Sequence, residues 1–100
     1  MHLLPLLFLF AMNAPTRFDA NTELLGDSLR AWRTASERDQ MATMTHIVVN
    51  ILNISDPIDA RAKALQVRGC VNKVAADFMA GERRVADVAV LCIAQLGYLR

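Results

Sequence analysis

The residues that most constrain the fold lie on either side of Gly81. Before it, Ala60, Ala64, Val67, Val71, Val74 and Phe78 recur at intervals of four, three, four, three and four. After it, Val85, Ala89, Cys92, Leu96 and Leu99 repeat the intervals four, three, four and three. Such spacing keeps one narrow face of a helix apolar, and two faces of this kind bury each other lengthwise. Gly81 is expected to stop the first helix as its left-handed C-terminal residue. The pattern predicts an antiparallel helical hairpin, about 57–80 and 83–99, within an all-α bundle of three to four helices.

The start of that hairpin is the best boundary in the chain. Asp56 can accept from free backbone N–H groups, and Pro57 suits the first helical position, where its missing donor costs nothing. Upstream, residues 41–54 are strongly apolar, with Met44, Ile47, Val48, Ile51 and Leu52 on one helical face. Asn21 or Thr22 can cap a helix from Glu23, carrying Leu25, Leu29 and Trp32 inward. Residues 33–40 are polar except for Ala35. Thr34-Ala-Ser-Glu37 has the form of a capping box, so this stretch is one bent helix or a tight break near residue 35. The last helix is apolar almost all round, which predicts a buried, central position.

The N-terminal run is too short for a membrane span. Nine of the ten residues from 3 to 12 are apolar, against about 20 needed to cross a bilayer. Its length suits a signal-peptide core, but no Lys or Arg precedes it and no clean small-x-small cleavage site follows. A retained arm is the first reading. An export signal and an upstream start with the true one at Met12 stay open beside it. The organisation is therefore an arm over 1–12, a connector over 13–21 around Pro15, and one helical domain over 22–100.

Charge and composition exclude more than they assign. Eleven basic and ten acidic residues leave a net charge of +1, so no broad field attracts nucleic acid. Hydrophobic residues make up 54% and charged residues 21%, the latter below the roughly 25% of ordinary soluble domains. A chain so apolar has enough surface to bury and is not disordered. A helix-turn-helix use of the hairpin fails, because its second helix offers apolar side chains where base edges need polar ones.

Catalytic groups are scarce. His2 and His46 are the only histidines, and a lone His beside an apolar face is seldom a base or ligand. Asp56 and Asp59 suit a helix start, while Asp77, Glu82, Arg83, Arg84 and Asp87 read as a solvated tip. No metal-ligand spacing, phosphate loop or nucleophile elbow occurs, so neither an enzyme nor a cofactor is expected. Cys70 and Cys92 stand eleven residues before and after Gly81, at equal height in the hairpin. A disulfide fits that geometry. Two reduced, buried thiols are the preferred expectation, because the export signal is poor and disulfides need an oxidising compartment.

What remains is surplus apolar surface, which usually marks an interface. The expected function is a small non-enzymatic interaction or assembly protein, self-associating or a subunit of a larger complex, with a cytoplasmic setting preferred. Interface candidates are Leu3, Leu4, Leu7, Phe8 and Phe10 of the arm, with Trp32, Met41 and Met44. The Met residues, with Trp32 and Phe78, also read as core filler. Membrane contact through the arm is not favoured. The alternative is an exported bundle, periplasmic or secreted, stapled by Cys70–Cys92 and binding a small apolar ligand or an envelope component.

Overall fold

The computed structural model describes residues 24–99, and among them the chain is all-α. Four helices follow one another: α1 (Leu29–Thr34), α2 (Glu37–Leu52), α3 (Pro57–Ala75) and α4 (Val85–Gln95). Short 3-10 turns at Leu24–Gly26 and Phe78–Ala80 precede α1 and α4 respectively. The arm, the connector and the Asn21, Thr22 and Glu23 start signals lie outside the described residues.

The first helix starts later than the sequence suggests. Ser28 caps it by accepting from the Ala31 N–H at 3.3 Å. The polar stretch after Trp32 resolves as a tight break. Ala35 is extended, and Ser36 caps α2 through the Asp39 N–H at 3.0 Å. Thr34 therefore does not open a capping box; its hydroxyl donates back to the Ala31 carbonyl. Asn53, in the left-handed region at φ 56°, ends α2, a conformation that Asn tolerates better than most residues. Asp56 and Pro57 open α3 as expected, the carboxylate accepting from the Ile58 N–H.

The far end of α3 departs from the expected seam. The helix stops at Ala75, and Asp77 starts a separate 3-10 turn by accepting from the Met79 N–H. Arg33 secures this stop: its Nε donates to the Ala75 carbonyl at 2.5 Å and its Nη2 to the Asp77 carbonyl at 3.4 Å. Phe78 thus leaves the seam and stands 82% exposed, its ring under the Arg33 guanidinium at 4.9 Å. Gly81 is right-handed (φ −57°), not left-handed. Its lack of a side chain answers a close approach instead, since a Cβ there would meet the Phe78 carbonyl at 3.3 Å and Arg33 Nη2 at 3.5 Å. The left-handed glycine is Gly97, at φ 81°, two residues beyond α4. That turn takes Leu96 and Leu99 off the seam and leaves both partly exposed.

Elsewhere the seams are buried. Ala60, Ala64, Val67 and Val71 of α3 and Val85, Ala89 and Cys92 of α4 are buried, and Val74 is half-buried at the edge. Leu29, Trp32, Met44, Val48 and Ile93 complete the core. A two-way backbone contact ties the chain before α1 to the turn before α4: Leu29 N–H donates to the Arg83 carbonyl, and Val85 N–H to that of Asp27.

Trp32, Asn72, Gln40 and Arg68 form one connected polar set at this core. Trp32 is fully buried, and its indole N–H donates to Asn72 Oδ1 at 2.7 Å. The Trp32 carbonyl accepts from Gln40 Nε2 at 2.7 Å, and Gln40 Oε1 accepts from Arg68 Nε at 2.9 Å. Gln40 therefore joins α1 to α3 from its place on α2. Gln40→Ala is expected to cost about 1–3 kcal/mol, because it removes two hydrogen bonds, one of them to a charged group, although Ala35 N–H still serves the Trp32 carbonyl and Glu37 still pairs with Arg68. Urea unfolding checks this; a loss within error of zero means water replaces the amide.

Candidate interaction surface

The hairpin places Cys70 of α3 and Cys92 of α4 side by side, with Cα atoms 5.9 Å apart, and the two are joined as a disulfide. The expectation of two free thiols is corrected. Equal distance from the turn brings both residues to one height, and the position of Cys70 beside its seam aims it along the α4 edge. Cys92 is buried and Cys70 half-buried, so the bridge forms part of the molecular surface.

Beside that bridge runs an open groove of about 330 Å³, lined by Cys70, Lys73, Val74, Arg83, Val88, Leu91, Cys92 and Gln95. Its floor is the disulfide with Val74 and Val88, and its rim carries Lys73, Arg83 and Gln95. The outward face of α4 continues it. Val90, Leu91 and Ala94 are all exposed there, Leu91 by 56%. This corrects the prediction of an all-round buried last helix: α4 packs on α3, α2 and the Leu24–Gly26 turn, and no fifth element covers its remaining side among the described residues.

The interface candidates divide two ways. Trp32, Met41 and Met44 are buried in the core, so they are corrected from surface to packing residues. Their apolar character gave no way to tell the two roles apart. Leu3, Leu4, Leu7, Phe8 and Phe10 lie outside the described residues. Of the seam residues, only those that slipped from it (Phe78, Leu96 and Leu99) are substantially exposed.

Sequence reading missed Val90 and Leu91 as surface. It also missed Tyr98, which Gly97 turns back onto α3. Its hydroxyl donates to Gln66 Oε1, and its ring lies 5.2 Å from Lys63 Nζ.

Several charged groups are held in structural contacts. At the hairpin tip Glu82 pairs with Arg30, and Asp77 is engaged as a cap. A polar depression of about 390 Å³ lies there, lined by Gly26, Ser28, Glu82, Arg83, Arg84 and Asp87. His46 is exposed, with its ring nitrogen near Asn50 Nδ2. No group of three His, Cys, Asp or Glu among the described residues could hold a metal ion. No described helix is long and apolar enough to cross a membrane.

No protein-family model matches the chain, and no curated protein or solved structure matches it either.

Two measurements check this description. Opening the Cys70–Cys92 bridge, which spans 22 residues of sequence, should cost about 3 kcal/mol by the loop-entropy relation. Denaturant melts with and without reductant read that difference. The second concerns Lys63, whose pKa is raised above 10.5, chiefly by its hydrogen bond to Asp59. Desolvation opposes the rise, and the charges of Asp59 and Tyr98 add to it. The folded state thus holds this proton more tightly than the unfolded chain. The stabilisation is complete below 10.5 and fades as pH rises through the raised value. The Tm gap between the wild type and Asp59→Asn should accordingly narrow as pH climbs past that point. A gap independent of pH would show that Asp59 acts only on the start of α3.

Proposed function

We propose that this chain is a small non-enzymatic helical interaction protein that docks another protein on the outer face of α4 and its groove with α3. The observation that carries this is the exposure of Leu91 and Val90 beside an apolar groove. Burying one such side chain is worth about 1.5–3 kcal/mol, so a partner gains directly by covering them. The groove brings together Lys73, Arg83 and Gln95 without a carboxylate or imidazole. That set favours binding over general acid–base chemistry.

The Cys70–Cys92 bridge supports an oxidising compartment over the cytoplasmic setting expected from the sequence. Under that reading the apolar N-terminal run serves as an export address. A second reading is favoured by the groove itself, whose volume is at the low end of the roughly 300–1,000 Å³ of small-ligand sites. There the occupant is a small apolar molecule lying over the disulfide.

A photo-reactive residue at Leu91, expressed in the native host, tests the docking role. One discrete cross-linked protein species, lost when the probe is moved to Arg38, is the expected result. Cross-links to no protein, with a small-molecule adduct in the native mass spectrum, would instead establish the second reading. For the compartment, the intact mass of protein from an export-competent host is measured under denaturing, non-reducing conditions. It should be lighter by the two thiol hydrogens and by a defined N-terminal cut; a full-length mass with free thiols returns the protein to the cytoplasm.

A further inference from the structure

The outer face of α3 carries a pattern that the core does not use. Ile58, Ala62, Leu65 and Gly69 recur at intervals of four, three and four, so they form one stripe along the helix. All four are exposed, Ile58 by 79% and Leu65 by 47%. This stripe points away from the buried seam of Ala60, Ala64, Val67 and Val71. It is a second apolar face on the same helix.

Gly69 is the residue within it that the monomer leaves unexplained. Glycine is the poorest helix former after proline, and this one sits well inside a 19-residue helix. Its φ is not positive, and a Cβ built on it would meet nothing within 4 Å. Alanine would fit the folded chain at that position. A glycine with no internal reason on an outward face suits close approach by something outside.

The order of sizes says what that something is. Along the stripe the residues run large, small, large, small. If a second α3 lies antiparallel across it, Ile58 falls opposite Gly69 of the second copy, and Leu65 falls opposite Ala62. Each large side chain then meets a small one, in both directions at once. That reciprocity is the requirement of a two-fold contact between identical surfaces. We propose that the protein forms an antiparallel α3–α3 homodimer through Ile58, Ala62, Leu65 and Gly69.

The charged edge fits this register. Arg61 and Arg68 border one side of the stripe and come near each other across the contact. Arg68 brings Glu37 with it, 3.6 Å from its guanidinium, so a carboxylate accompanies the cation facing Arg61 of the second copy. A single pair of helices about 28 Å long falls short of the roughly 800 Å² per partner of a stable complex. The dimer is therefore concentration-dependent. It also leaves the α4 face and its groove open, so it stands or falls separately from the docking role.

Sedimentation velocity on the disulfide-bonded full chain, from micromolar to millimolar concentration, tests the dimer. The wild type should shift from monomer to dimer. Leu65→Glu, at an exposed position, should stay monomeric with an unchanged circular-dichroism spectrum. Gly69→Ala should raise the Tm of the monomer yet weaken the dimer. Gly69→Ile should weaken it by about tenfold or more, the loss of one good apolar contact. Ile58→Gly in the same chain should restore association, because the large and small positions have only changed places.

Three results would overturn the proposal: a wild type monomeric throughout, a dimer that survives Leu65→Glu, or a double variant no tighter than Gly69→Ile alone. Leu91→Glu should leave this dimer intact. If it dissolves the dimer instead, the contact belongs to α4 and the α3 assignment fails.

Discussion

The fold depends on the burial of Trp32 with its polar atoms satisfied. An indole this large can leave water only if its N–H finds an acceptor, and Asn72 supplies one from the last turn of α3. Trp32 lies within α1, and its carbonyl is taken by Gln40 at the start of α2. Gln40 in turn accepts from Arg68. Three helices are thus fixed to one another around one side chain before any of the aliphatic seams is counted. A short α1 of six residues has no stability of its own; it exists because Trp32 anchors it.

The second organising element is the turn between α3 and α4. Arg33, one residue beyond Trp32, takes the carbonyls at the end of α3 and lies over Phe78. It therefore sets where the helix stops. That stop pushes Phe78 and Met79 into solvent, the latter to 89% exposure. The backbone exchange between residues 27–29 and 83–85 fixes the other side of the turn. The chain entering the bundle is in this way tied to the hairpin that closes it, and the disulfide ties the hairpin to itself.

These two anchors account for the surplus apolar surface. With α1 and α2 held on one side, α3 and α4 each have one face buried and one left over. On α4 the leftover face borders the disulfide groove; on α3 it is the alternating stripe around Gly69. Helices with apolar residues on two faces are what a small domain of this composition must contain, because a chain of this size cannot enclose all of them.

Much of this was legible in the residues themselves. The all-α class, the Asp56–Pro57 start and the burial of Ala64, Val67, Val71, Val85, Ala89 and Cys92 follow from spacing and capping chemistry, which act locally. The equal height of Cys70 and Cys92 was legible too, though not their bond, since spacing says nothing about oxidation. The remaining features depend on contacts between distant segments. Arg33 ends α3 from 42 residues away, which no periodicity in α3 records, so Phe78 was assigned to a seam it never joins. Gly81 proved right-handed and closely approached, because a glycine marks a conformational need without saying whether that need is a left-handed turn or a close approach. Trp32, Met41 and Met44 became core, and Val90 and Leu91 became surface, for the same reason. Hydrophobicity favours burial of a side chain; the neighbours that arrive in the tertiary structure decide which ones are covered and which stay exposed.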